Sequence, residues 1–210
     1  MKLYGSPGSA AMAPMAVLEH VGAAYEWVRL DLEAGEHQQP EFLAINPKGR
    51  VPVLVDGTTT LTESAAICLH LAERFPQAGL LPAAGTLERT RTYEWLFYLS
   101  NTLQVALIDW WHPVWLTRDA DAQDAVKAGA EKRIGICFEL IDAKLSDAAN
   151  PFCLGAQLTV VDYFLHMAAR WSRYLVTPAY AYPAIKRTTD AVRTLRATRR
   201  MMEKQAIAEA

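Results

Sequence analysis

A chain of 210 residues is long enough for one large domain or two modest ones, and 51% of its residues are hydrophobic. The net charge of −2 gives no electrostatic reason to expect a nucleic acid or an anionic membrane as the main partner. No apolar run reaches the roughly 18–20 residues that a membrane span needs, and residues 1–20 lack the layout of a signal peptide. We therefore expect a cytoplasmic globular protein with no membrane partner.

Cysteine and histidine usage argues against a disulfide framework and against a metal site. Cys68, Cys137 and Cys153 are odd in number, widely spaced and include no CxxC pair, which is typical of buried, reduced cysteines. The five histidines form no cluster with the spacing of metal ligands. We expect no metal cofactor.

Elements of two kinds alternate over the first third of the chain. A short strand is predicted over residues 2–4, a helix over 11–21 and an alternating strand over 25–30. A short helical stretch over residues 40–45 follows. This order predicts a small mixed sheet with helices packed against it.

The next segment predicts a hairpin and then a helix. Pro52 holds the preceding β-branched Val51 in extended geometry, and a hairpin over residues 52–61 turns at Asp56-Gly57. The helix that begins at Ser64 ends before Pro76. The free amides at the start of that helix form an anion site.

From Leu87 onward the hydrophobic period is that of helices. Apolar faces recur at three- and four-residue spacing, at Tyr93, Leu96, Ser100, Leu103 and Leu107 and again at Ile134, Phe138, Ile141 and Leu145. Thr159 and Asp162 have the spacing of a capping box, whose loss costs about 1 kcal/mol. A basic stripe near the C-terminus is interpreted as a solvated face; it comprises Arg193, Arg196, Arg199 and Arg200.

Three motifs resemble one known family. The glutathione-binding half of the cytosolic glutathione transferases carries a motif that this chain resembles in two places. They are the run Pro47-Lys48-Gly49-Arg50-Val51-Pro52 and, after it, Glu63-Ser64. The opening residues 1–9 resemble the start of the bacterial beta class and of the delta and theta classes, and residues 40–47 match the same family.

The resemblance covers essentially the whole chain and implies its domain organisation. The expected fold is α/β followed by all-α. A thioredoxin-like, glutathione-binding domain would span residues 1–76 and a linker residues 77–86. An all-helical C-terminal domain with the acceptor-substrate site would span residues 87–210.

Ser9 is the candidate catalytic residue. A free thiol with a pKa of about 8.5 is only a few per cent ionised at neutral pH, whereas the thiolate is the nucleophile. By resemblance to the delta-like motif Pro-Gly-Ser-Ala, Ser9 donates a hydrogen bond to the glutathione thiolate, worth roughly 1.5–3 kcal/mol. Ser6 is a second candidate for this donor, and capping of the first helix is the non-catalytic alternative for Ser9.

The chain also departs from the beta class at the active-site motif. Where beta-class relatives carry a cysteine after Pro-Gly-Ser, this chain has Ala10. Where they carry an asparagine and a histidine on the first helix of the second domain, it has Phe97 and Gln104. These departures argue against thiol–disulfide chemistry built on position 10.

The resemblance implies a cradle for glutathione. The backbone of Val51, set by Pro52, would pair with the cysteinyl unit in the manner of an added strand. Glu63 would accept the α-amino group, and Ser64 would hold the γ-glutamyl carboxylate at the helix start.

The glycyl carboxylate has three candidate partners. Lys48 is the first, Arg50 is a substitute and His37 in the preceding loop is a possible assistant. A solvated charge is the alternative for Lys48, and an ordinary exposed loop residue is the alternative for His37.

Aromatic residues cluster around Pro113. In the family, the region of Trp110, Trp111 and Trp115 forms the wall of the acceptor-substrate pocket, and such walls suit a flat, apolar electrophile. Core packing is the alternative for at least two of these tryptophans. His112 has no visible acidic partner that would support a catalytic role.

The sequence therefore predicts a glutathione transferase, homodimeric by family analogy, with glutathione as co-substrate. Ser9 would stabilise the thiolate that attacks a small apolar electrophile. Two alternatives stay open. One is a non-catalytic glutathione-binding carrier or interaction protein, and the other is a glutathione-dependent peroxidase or reductase.

Overall fold

The computed structural model describes residues 1–146 and 150–207, and the chain divides into two compact units. The first unit comprises residues 1–81 together with the C-terminal segment that begins at Arg193. The second unit comprises Pro82–Val192. Nothing in the sequence pattern had indicated that the C-terminal segment groups with the N-terminal residues.

Four strands form the sheet of the first unit: β1 (Lys2–Gly5), β2 (Glu26–Arg29), β3 (Val53–Asp56) and β4 (Thr59–Thr62). Their order is β2-β1-β3-β4, with β1 parallel to β2 and antiparallel to β3, and β4 antiparallel to β3. Leu3 on β1 lies opposite Leu54 on β3, and both side chains are fully buried. The mixed sheet confirms the predicted thioredoxin-like fold.

The helices in the described residues are α1 (Met12–Val21), α2 (Pro40–Leu43), α3 (Ser64–Arg74), α4 (Leu87–Tyr98), α5 (Gln104–Trp111), α6 (Ala120–Lys144), α7 (Val160–Trp171), α8 (Pro183–Arg193) and α9 (Arg196–Gln205). α1 packs against both α3 and α9, and its residues 12–19 are all buried. This burial explains why the sequence of α1 is apolar on every side.

The hairpin turn lies one residue later than predicted. Asp56 pairs with Thr59, so the two-residue loop is Gly57-Thr58 and not Asp56-Gly57. Gly57 has a φ of 60°, and a type II′ turn requires a residue of positive φ, normally glycine, at its first loop position. The position of Gly57 correctly indicated a turn, but it fits a loop of Asp56-Gly57 as well as one of Gly57-Thr58.

Glu19 lies on the buried face of α1 and anchors α9. Its carboxylate accepts a hydrogen bond from the Tyr25 hydroxyl at 2.6 Å. It also forms ion pairs with Arg200 at 2.9 Å and Lys204 at 2.5 Å. The four C-terminal arginines are exposed, as the interpretation as a solvated face expects, but Arg200 also pairs with a buried carboxylate, which the sequence did not indicate.

Glu19 should make stability depend on pH. Burial alone would raise the pKa of Glu19, but hydrogen bonds from Lys204 and Tyr25 and the nearby charges outweigh it and lower the pKa below the ordinary value of 4.5. A lowered folded-state pKa stabilises the fold above the unfolded-state pKa, and this stabilisation is lost as pH falls through the folded-state pKa.

We expect Glu19→Gln to lower the free energy of unfolding by about 1–2 kcal/mol at neutral pH, since the carboxylate loses its charged partners. The difference from wild type should begin to shrink below about pH 4.5, where the carboxyl of the unfolded chain becomes protonated, and should disappear below the lower folded-state pKa. Urea unfolding of both proteins at neutral pH and at about pH 3 checks this. An equal difference at the two pH values would contradict it.

In the second unit the predicted face of α6 is buried, whereas Tyr93 and Ser100 on the other predicted face are only half-buried. Ile134, Phe138 and Ile141 line the inner face of α6, and Leu103 and Leu107 are equally buried in and after the π-helical segment Leu99–Leu103 that joins α4 to α5. Within residues 1–146 and 150–207, no helix has the length and hydropathy to cross a membrane.

The predicted capping box is present at the start of α7. The Thr159 side chain accepts from the backbone at the third helical position, and the carboxylate of Asp162 accepts the Thr159 N–H at 2.7 Å. Asp162 is wholly buried and also accepts the backbone N–H of Cys153 at 2.7 Å. The box therefore ties α7 to the loop before it.

Candidate functional site

Ser9 lies half-buried in the loop between β1 and α1. Its Oγ donates to the Ser6 carbonyl oxygen at 2.6 Å and accepts the N–H groups of Ser6 and Ala11, both at 3.3 Å. Its carbonyl oxygen accepts the N–H of Met12 at 3.1 Å. The hydroxyl thus closes the turn from which α1 begins, and its single hydrogen points to Ser6.

Gly8 precedes Ser9 with a φ of 74°, a conformation that costs glycine little and other residues more. The Gly8 N–H donates to Oε1 of Gln205 at 2.9 Å, across 197 residues of sequence. Sequence reasoning missed Gln205 at this loop, because no pattern in one sequence relates a C-terminal glutamine to an N-terminal glycine.

The segment before β3 presents the backbone of Val51. The Val51–Pro52 peptide bond is cis, Pro52 is buried, and the pairing of β3 with β1 begins only at Val53. Val51 therefore lies outside the ladder between β1 and β3. A peptide ligand can use such a backbone edge as a partner strand.

Two side-chain amides brace the loop that carries this edge. The buried Asn46 donates through Nδ2 to the Arg50 carbonyl oxygen at 2.7 Å, and Gln38 donates through Nε2 to the Gly49 carbonyl oxygen at 3.1 Å. Neither residue was singled out from the sequence. An asparagine between an apolar run and Pro47 was the available signal, since asparagine commonly organises turns.

Glu63 and Ser64 form the start of α3. Glu63 has φ 66° and ψ 111°, a conformation that costs a residue with a side chain about 1–3 kcal/mol and is concentrated at functional sites. Ser64 is buried as the first helical residue. The first helical bond joins the Ile67 N–H to the Glu63 carbonyl oxygen, so the amides of residues 64–66 point out of the helix start.

Lys48 and Glu63 are brought together. The Lys48 Nζ lies 2.9 Å from Glu63 Oε1 and 3.1 Å from Thr62 Oγ1, and the two charged side chains are 57% and 72% exposed. An exposed pair of this kind contributes roughly 0–1 kcal/mol. A ligand that offers its own ammonium and carboxylate groups can therefore replace either partner at little cost.

His37 lies in the short 3-10 turn Glu36–Gln38, half-buried, and its Nδ1 is buried with no hydrogen-bond partner. A buried ring nitrogen without a partner carries a desolvation cost that a bound polar group would relieve. The interpretation of His37 as an ordinary exposed loop residue is therefore not favoured. Arg50 is exposed on the neighbouring loop.

In the second unit, Trp110 and Trp111 are half-buried and contact each other edge to face at 5.3 Å. Trp111 donates through Nε1 to the Trp171 carbonyl oxygen at 2.9 Å, and the guanidinium of Arg173 lies 5.2 Å from its ring centre. These contacts hold Trp111 in place as a packing residue, though it does not lie in the fully buried core.

Trp115 differs from the other two predicted acceptor-pocket tryptophans. It is 52% exposed and stacks on His112 with a centroid distance of 4.2 Å. Of the three, Trp115 therefore offers the most ring surface to a ligand. Among the residues that the structure describes, no group of three or more histidine, cysteine or acidic side chains could hold a metal ion.

Comparison with known proteins identifies relatives over nearly the whole chain. Residues 1–73 match the family model described as the N-terminal domain of glutathione S-transferase. The chain is 34% identical to a rice protein (Oryza sativa subsp. japonica) described as probable glutathione S-transferase GSTF2, over 85% of this chain and 93% of that protein. It is 29% identical to glutathione S-transferase GstA of Escherichia coli O157:H7, over 82% of each chain.

A solved structure agrees with these relatives. The fold superposes on a glutathione transferase homologue from Sulfitobacter, determined with bound glutathione, with a TM-score of 0.89. The two chains are 26% identical, and the superposition covers 97% of each.

Proposed function

The chain belongs to the glutathione S-transferase family, and we propose that it binds glutathione at the first unit and uses Ser9 to stabilise the thiolate for conjugation. The start of α3 carries this proposal most directly. There, Glu63 in a costly backbone conformation places an acceptor for an ammonium group beside outward-pointing helix amides that suit a carboxylate.

The γ-glutamyl end of glutathione carries both an α-amino group and an α-carboxylate, and both groups find partners at this helix start. Glu63 accepts the ammonium, while Ser64 and the amides beside it hold the carboxylate. Since Lys48 lies 2.9 Å from Glu63, ligand binding exchanges one exposed ion pair for two new ones. Lys48 is then released toward a ligand carboxylate, the glycyl group being our assignment.

The cysteinyl unit is assigned to the backbone edge at Val51 and Pro52, where a peptide adds as a short strand. His37, with its unpartnered Nδ1, is assigned as a second polar contact for the glycyl end. These assignments use the residues that the sequence predicted for the cradle, with Lys48 taken in preference to its substitute Arg50.

The chemical step is attack of the glutathione thiolate on an electrophilic carbon. The sulfur lone pair forms the new carbon–sulfur bond, and a leaving group departs with its electron pair. Ser9 lowers the thiol pKa by donating its hydroxyl hydrogen to the sulfur, which raises the thiolate fraction at neutral pH. We assign the acceptor to small, flat, apolar electrophiles and the aromatic contacts to Trp110, Trp111 and Trp115. We further infer a cytoplasmic homodimer.

One observation favours a second candidate, a glutathione-binding protein without turnover. The Ser9 hydrogen is donated to the Ser6 carbonyl oxygen at 2.6 Å, as a purely structural role in closing the turn would explain. The magnitudes favour catalysis, because a bond to a charged acceptor is worth roughly 1.5–3 kcal/mol and one between neutral groups roughly 0.5–1.5 kcal/mol. The hydroxyl should therefore turn to the thiolate when the ligand is bound.

Incubation of the protein with glutathione and a chlorodinitrobenzene tests the proposal. Turnover is measured as release of chloride and as formation of the thioether. We expect conjugation that depends on both substrates. Calorimetric binding of glutathione with no turnover on a panel of aromatic electrophiles would favour the binding protein instead. Hydroperoxide reduction faster than conjugation would favour a peroxidase.

We expect Glu63→Gln to raise the dissociation constant of glutathione about tenfold, because the ammonium loses a charged acceptor. The fold should be unaffected, since the Glu63 side chain is 72% exposed. Isothermal titration calorimetry measures the change, with Glu41→Gln on α2, also exposed, as the matched control. Equal affinities in the two variants would remove Glu63 from the cradle.

A further inference from the structure

The last residue of α9 reaches the loop that carries Ser9. Gln205 is 1% exposed, its Oε1 accepts the Gly8 N–H at 2.9 Å, and its Nε2 lies 3.5 Å from the Met15 sulfur. One buried amide group therefore contacts both the turn before Ser9 and the helix that begins after it.

α9 has a second attachment that does not involve Gln205. Arg200 and Lys204 form ion pairs with the buried Glu19 of α1, and Lys204 also lies over the ring of Tyr25 at 4.5 Å. Since α9 packs along α1 through these contacts, the position of the helix is set independently of the Gly8 bond. The contacts of α9 with α1 thus hold Gln205 in place, and its amide oxygen accepts the Gly8 N–H.

The two sides of Ser9 are restrained by different means. On the C-terminal side, the Met12 N–H bonds the Ser9 carbonyl oxygen and α1 begins at once. On the N-terminal side, the chain passes through Gly8 with φ 74°, in the left-handed region where glycine is most easily displaced to other conformations. Two bonds restrain that side: the Ser9 N–H donates to the Ser6 carbonyl oxygen at 3.1 Å, and the Gly8 N–H donates to the Gln205 amide oxygen at 2.9 Å.

We propose that Gln205 is a positioning residue for the transferase reaction. Its amide oxygen fixes the Pro7–Gly8 peptide, and through it the direction in which the Ser9 hydroxyl donates. The inference rests on the proposed role of Ser9, since it assigns to α9 the task of holding that hydroxyl in the geometry that lowers the thiol pKa. Without the bond, the turn from Ser6 to Ser9 should sample several conformations, and misplacement of the hydroxyl that it carries by about 1 Å can cost roughly 100-fold in rate.

Gln205→Met tests this role, because methionine fills a similar volume and removes the acceptor for the Gly8 N–H. We expect the pKa of the bound glutathione thiol to rise by roughly half a unit to one unit and kcat to fall about tenfold. KM for glutathione should stay within about twofold, since the Gln205 amide bonds Gly8 and Met15, which lie outside the cradle. Glu203→Met, two residues earlier on α9 at an exposed position, is the matched control and should leave the thiol pKa unchanged.

A measurement on the wild-type protein tests the inference even if the Gln205→Met variant does not fold. The Gly8 amide should be protected from hydrogen exchange, as followed by nuclear magnetic resonance in the ligand-free protein. Exchange at the rate of an exposed amide would overturn the inference without any substitution.

The outcomes separate this inference from the proposed function. A thiol pKa that Ser9→Ala raises and Gln205→Met leaves unchanged overturns the positioning role alone. If glutathione on the wild-type protein titrates as it does in free solution, the proposed function fails and the positioning role fails with it. Equal rises of the thiol pKa in Gln205→Met and Glu203→Met would show a general effect of altering α9, and would also overturn the specific role of the amide.

Discussion

Ser9→Ala should retain the fold and lose about 10–100-fold in kcat/KM for conjugation at neutral pH, because the thiolate loses a hydrogen bond worth roughly 1.5–3 kcal/mol. At about 1.36 kcal/mol per pKa unit, the bound thiol pKa should rise by about one to two units. The loss in turnover should therefore diminish as the pH is raised and the thiol ionises without help.

The structural role of Ser9 sets the control for this experiment. Its Oγ also accepts the Ser6 and Ala11 N–H groups at 3.3 Å, so alanine removes a turn contact along with the donor. Ser9→Cys is an uninformative control because it introduces a new thiol; Ser9→Thr, which keeps the hydroxyl, should retain part of the activity. Ser6→Ala tests the second candidate for the donor.

Three results would contradict the assignment of Ser9. Unchanged turnover in Ser9→Ala at neutral pH would show that another group activates the thiol. A large loss in Ser6→Ala alone would transfer the role to Ser6. A pH-independent loss in Ser9→Ala, with reduced thermal stability, would assign Ser9 to the turn and not to the thiol.

The largest effect on stability should come from Asp162→Ala. The buried carboxylate accepts the Cys153 N–H, the Thr159 N–H and the Thr159 hydroxyl at 2.7, 2.7 and 3.0 Å. Burial raises the pKa of Asp162 while these donors counteract the rise, so the carboxylate and its donors depend on one another. Removing the acceptor leaves buried donors without partners, and we expect a loss of about 3–5 kcal/mol in the free energy of unfolding.

Asp119→Ala is the matched control for that measurement. Asp119 also caps a helix, α6, by accepting the Asp121 N–H at 3.0 Å, but it lies at the surface. Water can replace its hydrogen bond, so we expect a loss of about 1 kcal/mol or less. Urea unfolding of both variants gives the comparison. Equal losses would show that burial of the Asp162 box adds nothing to its cap.

Elements with a clear hydrophobic period could be predicted from the sequence. The face at Ile134, Phe138 and Ile141 is buried as expected, and the order of strands and helices in the first third follows the predicted pattern. The capping box was predictable because its two residues lie three apart, within one turn of helix.

What escaped the sequence depends on contacts between distant residues. The Gly8–Gln205 bond and the pairing of Arg200 with Glu19 join the two ends of the chain, and no local spacing encodes them. The third donor to Asp162, from Cys153, crosses a loop whose path is set by packing. The hairpin at Gly57 was predicted, but its loop lies one residue later than expected, because a single glycine can occupy either position of a two-residue loop.

The sequence predicted which residues belong to the candidate site, but not how their side chains contact one another. The motif named Lys48 and Glu63 separately, whereas the structure pairs them. The same motif placed Ser9 before a helix, but only the coordinates show its hydrogen donated to Ser6. Side-chain orientation in a loop depends on several weak contacts of similar energy, which the sequence alone does not rank.

The ultraviolet absorbance of glutathione thiolate, measured with the wild-type protein at neutral pH and with Ser9→Ala beside it, tests the central claim most directly. The account predicts a thiolate signal in the wild-type complex that is lost in the variant and returns when the pH is raised by about one to two units. Glutathione that binds to the wild-type protein by calorimetry, yet shows no thiolate absorbance at neutral pH, would contradict it.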